Sequence, residues 1–256
     1  MMNKKIILIA GKGQSTNIIF NALIERYGVV SAIIEDKESP IAFWKRRLKK
    51  LGLVKVLGQI GFQLLIQRPL KLCSKYRIDE IIRQNKLNQK DIPNDKILKV
   101  NSINSKITIE LLKSLNPDLI IVNGTRIISK RVLQSVPCKF VNIHAGITPM
   151  YRGVHGTYWA LVNNDFINSG VTVHFVDEGI DTGQIIAQKQ VSITSKDNFS
   201  TYPFLQLSVG LELLFESIDS CFKKSTTSVK FEGESKLYYH PTIWAYLFNR
   251  IFKKVK

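Results

Sequence analysis

The apolar residues of this chain fall into short unbroken runs separated by stretches of helical period. Ile6-Ile7-Leu8-Ile9-Ala10, after Lys5, is a continuous apolar run that leads into Gly11-Lys12-Gly13-Gln14-Ser15-Thr16-Asn17. A helical spacing through Ile18, Ile19, Ala22, Leu23 and Ile24 follows. The pattern predicts strand, glycine turn, helix. Val29 to Ile34 predicts a second buried strand ending in Glu35-Asp36. Later strands are predicted at Ile97 to Val100, at Leu119 to Val122 after the turn Asn116-Pro117-Asp118, and at Phe140 to His144 after Pro137; a helix over roughly 105 to 115 separates the first two. Residues 156 to 164 suit a helix, Val171 to Phe175 and Gln184 to Ile193 suit strands paired antiparallel, and Phe204 to Phe222 suits a long amphipathic helix. Strands apolar on both sides, alternating with helices, belong to a sheet covered on both faces.

The fold class predicted is therefore α/β, a Rossmann-like doubly wound and mostly parallel sheet, with two helical additions. Residues 41 to 90 interrupt the rhythm, being longer and more basic than an ordinary crossover, and predict two or three helices. Within them Lys55, Gln59, Gln63 and Gln67 recur every fourth residue along one narrow face, while Leu53, Val54, Val56, Leu57, Ile60, Phe62, Leu64, Leu65 and Ile66 cover the rest. A bilayer span is not expected there, because no stretch of about 20 residues is free of polar side chains. The organisation predicted is one domain over 1–225, carrying the basic helical insertion at about 41–90, and a basic amphipathic extension over 226–256.

Composition narrows the class. The chain has 256 residues, 45% hydrophobic, with 8 prolines and 15 glycines, which suits one large ordered domain rather than a disordered chain. Cys73, Cys138 and Cys221 are odd in number and widely spaced, so neither a disulfide framework nor a metal cluster is expected, and a reducing cytoplasm is the predicted location. The run Ile6 to Ala10 is too short for a signal-peptide core. Net charge is +17, and it is uneven. Residues 41–71 hold Lys45, Arg46, Arg47, Lys49, Lys50, Lys55, Arg68 and Lys71 with no acid, and residues 236–256 hold Lys236, Arg250, Lys253, Lys254 and Lys256 with no acid.

The candidate chemistry lies between Asn142 and Asp181. Asn142 and His144 are two apart on one predicted strand, so both side chains leave the same face and can converge on one reacting atom. A carboxylate at Asp181 can orient and charge the imidazole. The stretches Asn142-Ile143-His144-Ala145-Gly146-Ile147-Thr148-Pro149-Met150-Tyr151-Arg152-Gly153 and Gly170-Val171-Thr172-Val173-His174-Phe175-Val176-Asp177-Glu178-Gly179-Ile180-Asp181-Thr182-Gly183 resemble the folate-dependent formyltransferase family. That family includes glycinamide ribonucleotide, methionyl-tRNA and amino-sugar formyltransferases, and the resemblance covers roughly residues 1–35 and 97–215.

The resemblance implies that Asn142, His144 and Asp181 form a catalytic trio, that 10-formyltetrahydrofolate is the donor and that no metal takes part. It implies a pterin slot made by the main chain of Arg126, Ile127 and Ile128 on one side and of Val176, Asp177, Glu178, Gly179 and Ile180 on the other. It implies an acceptor-phosphate loop at Gly11, Gly13, Ser15, Thr16 and Asn17, where the third glycine of a dinucleotide fingerprint is missing, which disfavours a nicotinamide enzyme. Plain core packing is the competing reading for Ile127 and Ile128. The chain departs from the family pattern at Ala145-Gly146-Ile147-Thr148, where Pro-Ser-Leu-Leu is usual, and at Asn198, where purine-pathway relatives carry an acceptor-binding glutamate. His174 is expected near the pocket; His155 and His240 are expected to be structural.

The acceptor implied is a small phosphorylated amine, glycinamide ribonucleotide-like or a nucleotide-linked amino sugar. The two basic segments carry bulky apolar residues beside their cations, so they either lie on an anionic membrane at its inner face or pack on the domain with their cations reaching water. Nucleic acid is the disfavoured partner, because the chain after Asp181 is short for a further tRNA-binding domain. The competing function is a non-catalytic peripheral membrane or RNA-binding module on the same fold.

Overall fold

The computed structural model describes residues 4–28, 30–226 and 234–256. In chain order the elements are β1 (Ile6–Gly11), α1 (Gln14–Tyr27), β2 (Val30–Glu35), α2 (Pro40–Leu51), α3 (Leu53–Gly61), a π-helical turn (Phe62–Gln67), α4 (Arg68–Cys73), α5 (Lys75–Gln84), β3 (Ile97–Val100), α6 (Lys106–Leu115), β4 (Leu119–Asn123), α7 (Lys130–Leu133), β5 (Lys139–His144), β6 (Arg152–Gly153), α8 (Gly156–Val162), β7 (Gly170–Phe175), β8 (Ile185–Gln190), α9 (Tyr202–Lys223), β9 (Leu237–Tyr238) and α10 (Ile243–Phe252). Val29, placed in the second strand by its sequence, lies outside the described residues.

Seven strands form one sheet in the order β3-β2-β1-β4-β5-β7-β8. Pairing is parallel from β3 to β5 and antiparallel for β7 and β8. The predicted doubly wound sheet is thus observed, and so is the predicted antiparallel pair. β1 shows why its sequence lacks alternation: Ile6, Leu8 and Ala10 bury against the α1 and α9 side, and Ile7 and Ile9 against the α6 and α7 side. Strand order reverses between β1 and β4. Here Gly11 passes so close to the next loop that a Cβ would sit 2.6 Å from the Gly124 carbonyl oxygen.

The insertion is more divided than its sequence suggests, with four helices and a π-helical turn. Pro69 explains part of this, since it has no N–H to close a regular helical bond over the preceding turn. The glutamine stripe also faces the other way from a solvated one. Gln59 is buried and donates to the His240 carbonyl at 2.8 Å, while Leu53, Val54, Leu57, Leu64 and Leu65 are exposed.

Two contacts fix the additions to the sheet. Arg77 of α5 donates to Asp197 at 2.9 Å, just before α9, and the Asp197 side chain is fully covered. His155 and His240 meet at 2.9 Å, tying the start of α8 to the segment before α10, and Phe62, Tyr158, Phe199, Tyr202 and Tyr246 form an aromatic core beside them. Among the described residues no helix is long and apolar enough to cross a membrane, and no group of three potential metal ligands occurs.

Burial keeps both histidines neutral, lowering His240 from 6.5 to about 4 and His155 well below its ordinary value, with Arg47 adding to the effect on His240 and His240 to that on His155. The unfolded chain therefore takes up protons first on acidification. The stability they contribute is complete above pH 6.5 and is lost as pH falls toward about 4. Thermal unfolding should show a falling midpoint between about pH 7 and about pH 5, equivalent to on the order of 2 kcal/mol, and His240→Gln should flatten that slope.

Candidate active site

Strand alternation sends Asn142 and His144 to one face of β5 and Ile143 to the other, where Ile143 packs beneath Gly210 of α9. The antiparallel register of β7 sets His174 opposite Asn142 and Thr172 opposite His144. Opposed residues share a face, so polar side chains from two strands gather at one edge of the sheet. The chain returns to this edge at Asp181, which has a φ of +50° in the left-handed region that aspartate tolerates better than most residues.

The Asp181 carboxylate joins the group. Its Oδ1 accepts from Asn142 Nδ2 at 3.4 Å and lies 3.6 Å from His174 Nε2. Its Oδ2 lies 3.3 Å from His144 Nδ1 and accepts the Gly153 N–H at 2.9 Å. Asn142 also donates to His174 Nε2 at 3.1 Å, while His174 Nδ1–H donates to the Phe175 carbonyl at 2.7 Å. A carbonyl only accepts, which places the His174 proton on Nδ1. By the same logic His144 carries a proton on Nε2, which donates to the Tyr151 carbonyl at 2.8 Å.

His144 is thus flanked by acceptors on both sides. Burial pulls its imidazole below the ordinary value, opposed by Asp181 and by the Tyr151 carbonyl. For Asp181, burial pushes the carboxyl up, but the attraction of His144 in its charged form, the His174 contact and the Gly153 N–H outweigh it and leave the group below its ordinary range. His144 Nδ1 and Asp181 Oδ2, 3.3 Å apart, are placed to share a proton.

The loop that carries Tyr151 needs small residues. A Cβ at Gly146 would lie 2.5 Å from the Tyr151 oxygen and 2.8 Å from His144 Nε2, and a Cβ at Gly156 would lie 2.5 Å from the Gly146 Cα. The departure of Gly146 from the family's usual serine therefore lets this turn close tightly on the imidazole. Gly153 has a φ of +93° and its Cα faces the Tyr238 carbonyl, where β6 pairs in parallel with β9. Arg152 donates to the Ile180 carbonyl at 3.1 Å, fastening the Asp181 loop to the same strand.

The other singled-out residues lie around this centre. Arg126 and Ile128 follow β4, where the buried Glu35 carboxylate accepts the Arg126 N–H at 3.1 Å and the Ile103 N–H at 2.8 Å. The Ile127 carbonyl accepts from Asn104 at 2.9 Å with its side chain exposed, while the Ile128 side chain is part of the core. The N–H and C=O of buried Ile128 form no hydrogen bond among the described residues. Across from them Val176 packs in the same core and Asp177 accepts from Gly179 N–H at 3.0 Å and from Thr182 at 2.7 Å. Glu178 is exposed and pairs with Lys130 at 3.2 Å, and Ile180 accepts the Arg152 bond.

In the glycine turn, Thr16 donates to the Gly11 carbonyl at 2.6 Å, and Asn123 donates to Ser15 at 3.2 Å and to Thr16 at 3.1 Å. Gly13 has open space around it, and Asn17 donates to Asp91 at 2.9 Å at the end of the insertion. Asn198 bonds Ser74 at 2.9 Å and accepts the Ser200 N–H at 2.9 Å, so it joins the insertion to the start of α9 and makes no hydrogen bond to the Asp181 group. Glu35 and Arg152 are not marked as site residues by the sequence, and Gly146 is marked only as a departure from the family pattern. An acid ending an apolar strand and two glycines flanking the His144 loop were the available signals.

The formyl transferase family profile matches residues 62–208. A methionyl-tRNA formyltransferase from Thermodesulfovibrio yellowstonii is 41% identical over 127 residues, a match spanning 49% of this chain and 41% of that protein. The chain spans well under half the length of that curated relative. A sugar N-formyltransferase from Shewanella superposes with a TM-score of 0.57 at 16% identity, over 91% of this chain and 76% of that one. A phosphoribosylglycinamide formyltransferase from Streptococcus pneumoniae superposes with a TM-score of 0.54 at 22% identity, over 86% of this chain and 99% of that one. An N-formyltransferase from Helicobacter canadensis, solved with folinic acid and dTDP-3-aminofucose, gives 0.53 at 19% identity over 91% and 70%. These structural likenesses establish the fold.

Gly146→Ala should push the Tyr151 carbonyl off His144 and lower stability by about 1–3 kcal/mol, as overpacking does, read as a shift of the urea midpoint.

Proposed function

The chain belongs to the formyl transferase family, and from that premise we propose that it moves a formyl group from 10-formyltetrahydrofolate to the amine of a small acceptor, with Asn142, His144 and Asp181 at the reacting centre. The observation that carries this reading is the Asp181 carboxylate, held between the Asn142 amide, the His144 imidazole and the Gly153 N–H.

Each group has a task that its surroundings suit. An amine must be neutral to attack, and it sheds a proton once it has added to the formyl carbon. Asp181 with His144 behind it is placed to receive that proton, because Oδ2 and the His144 Nδ1 lie 3.3 Å apart and can share it. The formyl oxygen gathers negative charge in the same step; collapse of the adduct would then break the bond from the formyl carbon to the donor's nitrogen, which takes up the proton as tetrahydrofolate leaves. The longer of the two bonds made by Asn142, the one to Asp181 at 3.4 Å, is the one that can be exchanged for that oxygen, leaving the His174 bond to hold the amide in place. His144 acts here through Asp181, since its Nε2–H is already given to Tyr151.

Support for the donor is the main chain of Ile128, which makes no hydrogen bond among the described residues and so suits a ring with alternating donors and acceptors such as a pterin. Arg126 and Ile127 shape that wall, and Val176, Asp177, Glu178, Gly179 and Ile180 form the facing one. When bound there, the donor supplies the activated formyl carbon. For the acceptor, Ser15 and Thr16 at the start of α1, with Gly11, Gly13 and Asn17, form a loop at the strand-order reversal where phosphates of α/β proteins are held. A phosphorylated amine is therefore proposed, either glycinamide ribonucleotide-like or a nucleotide-linked amino sugar. Asn198 borders the acceptor side. A non-catalytic role for the fold is disfavoured by the complete polar group around Asp181.

Purified protein given 10-formyltetrahydrofolate and a panel of glycinamide ribonucleotide and nucleotide-linked amino sugars should release tetrahydrofolate with at least one of them. No turnover across the panel removes the proposed acceptor class. Asp181→Asn and His144→Ala should each lower kcat by at least ~10²-fold with unchanged circular dichroism. Rates near normal in either variant contradict the assigned roles.

A further inference from the structure

α10 is partly inverted for a helix docked on a domain. Of its two buried positions one is Tyr246, in the aromatic core, and the other is the polar Asn249, which donates to the Tyr158 hydroxyl at 3.0 Å. Its exposed positions are Trp244, Leu247, Phe248 and Ile251, spaced i, i+3, i+4 and i+7 along one face, with Phe252 beside them. Phe248 is 54% exposed and Ile251 65%. A helix stabilised only by packing on its own domain would turn that stripe inward. α3 repeats the partial inversion, burying Gln59 beside Val56 and exposing Leu53, Val54 and Leu57.

The two inverted helices lie side by side. The Trp244 ring rests on Gly58, where a Cβ would collide with it, and Ile243 lies 3.4 Å from the Cβ position of Gly61. Their outward stripes therefore form one apolar face. Exposed cations lie on the same helices and on α4: Lys55 on α3, Arg250 on α10, and Arg68 and Lys71 on α4, none of them paired with an acid among the described residues. α2, in contact with α3, is basic over its second half.

We propose that the joined outward faces of α3 and α10 seat this protein on an anionic lipid bilayer, the aliphatic and aromatic side chains entering the interface and the surrounding cations meeting lipid phosphates. The charge selects this partner over the alternatives. A second copy of the chain would bring the same cations against each other, and a nucleic acid offers phosphates but no hydrocarbon for Phe248, Ile251 and Leu57. Helices of this length lie in the interface and do not span it.

Co-sedimentation of the full chain with vesicles tests the surface. Binding is expected with phosphatidylcholine vesicles that contain phosphatidylglycerol, weaker without it, and reversed by salt, with a blue shift of tryptophan emission that Trp244→Phe abolishes. The double variant Phe248→Asp/Ile251→Asp should bind at least about tenfold more weakly, with unchanged thermal unfolding and unchanged formyl transfer, because both side chains are exposed and lie outside the site. Lys55→Glu/Arg250→Glu should weaken binding at low salt and flatten its dependence on salt. Three results overturn the proposal: no sedimentation with anionic vesicles at low salt, equal binding by the Phe248→Asp/Ile251→Asp variant, or a dimer in solution that this variant dissociates.

Discussion

Burying a carboxylate beside two imidazoles is costly unless several separate parts of the chain supply compensating contacts at once, and the arrangement around Asp181 shows what that demands. Asn142 and His144 come from a parallel strand, His174 from its antiparallel neighbour, and the Gly153 N–H from a two-residue strand that is itself held by the C-terminal segment. Each contact depends on a different register. A slip of one residue in β5 or β7 would turn its polar side chains to the opposite face and leave the charge unpartnered. The buried sides of these strands resist such a slip, because Ile143 and Val173 are fixed in the core under α9.

The same logic extends outward. Glu35 does for the loop after β4 what Asp181 does for the reacting centre, drawing two backbone N–H groups from different connections onto the end of β2. Both acids stand at the carboxyl edge of the sheet, on opposite sides of the strand-order reversal. Chain connections converge at this edge while helices cover both faces, so ligands meet a rim built mostly from backbone and a few anchored polar groups.

Much of this was legible before any coordinates. Unbroken apolar runs marked the parallel strands because both faces of each are covered, and the i, i+2 spacing of Asn142 and His144 placed them on one side of β5. The contribution of Gly153 was hidden, because a backbone N–H leaves no side-chain signature, and so was the Tyr151 carbonyl. The insertion was read correctly as basic and helical, but not the direction in which its helices face. Periodicity shows that Gln59 lies on a narrow polar stripe; it does not show that the stripe is buried on the His240 carbonyl while leucines look outward. Nor could spacing reveal that Asn198 is occupied by Ser74.

The short parallel ladder between Arg152–Gly153 and Leu237–Tyr238 links two regions far apart in sequence. One end of it supplies the N–H that steadies Asp181, and the other runs through His240 into the helix that carries Trp244. The support of Asp181 is thus shared between two separate segments of backbone, joined by this ladder outside the seven-stranded sheet. The carboxylate is steadied by a strand whose own anchor is the C-terminal segment of the chain.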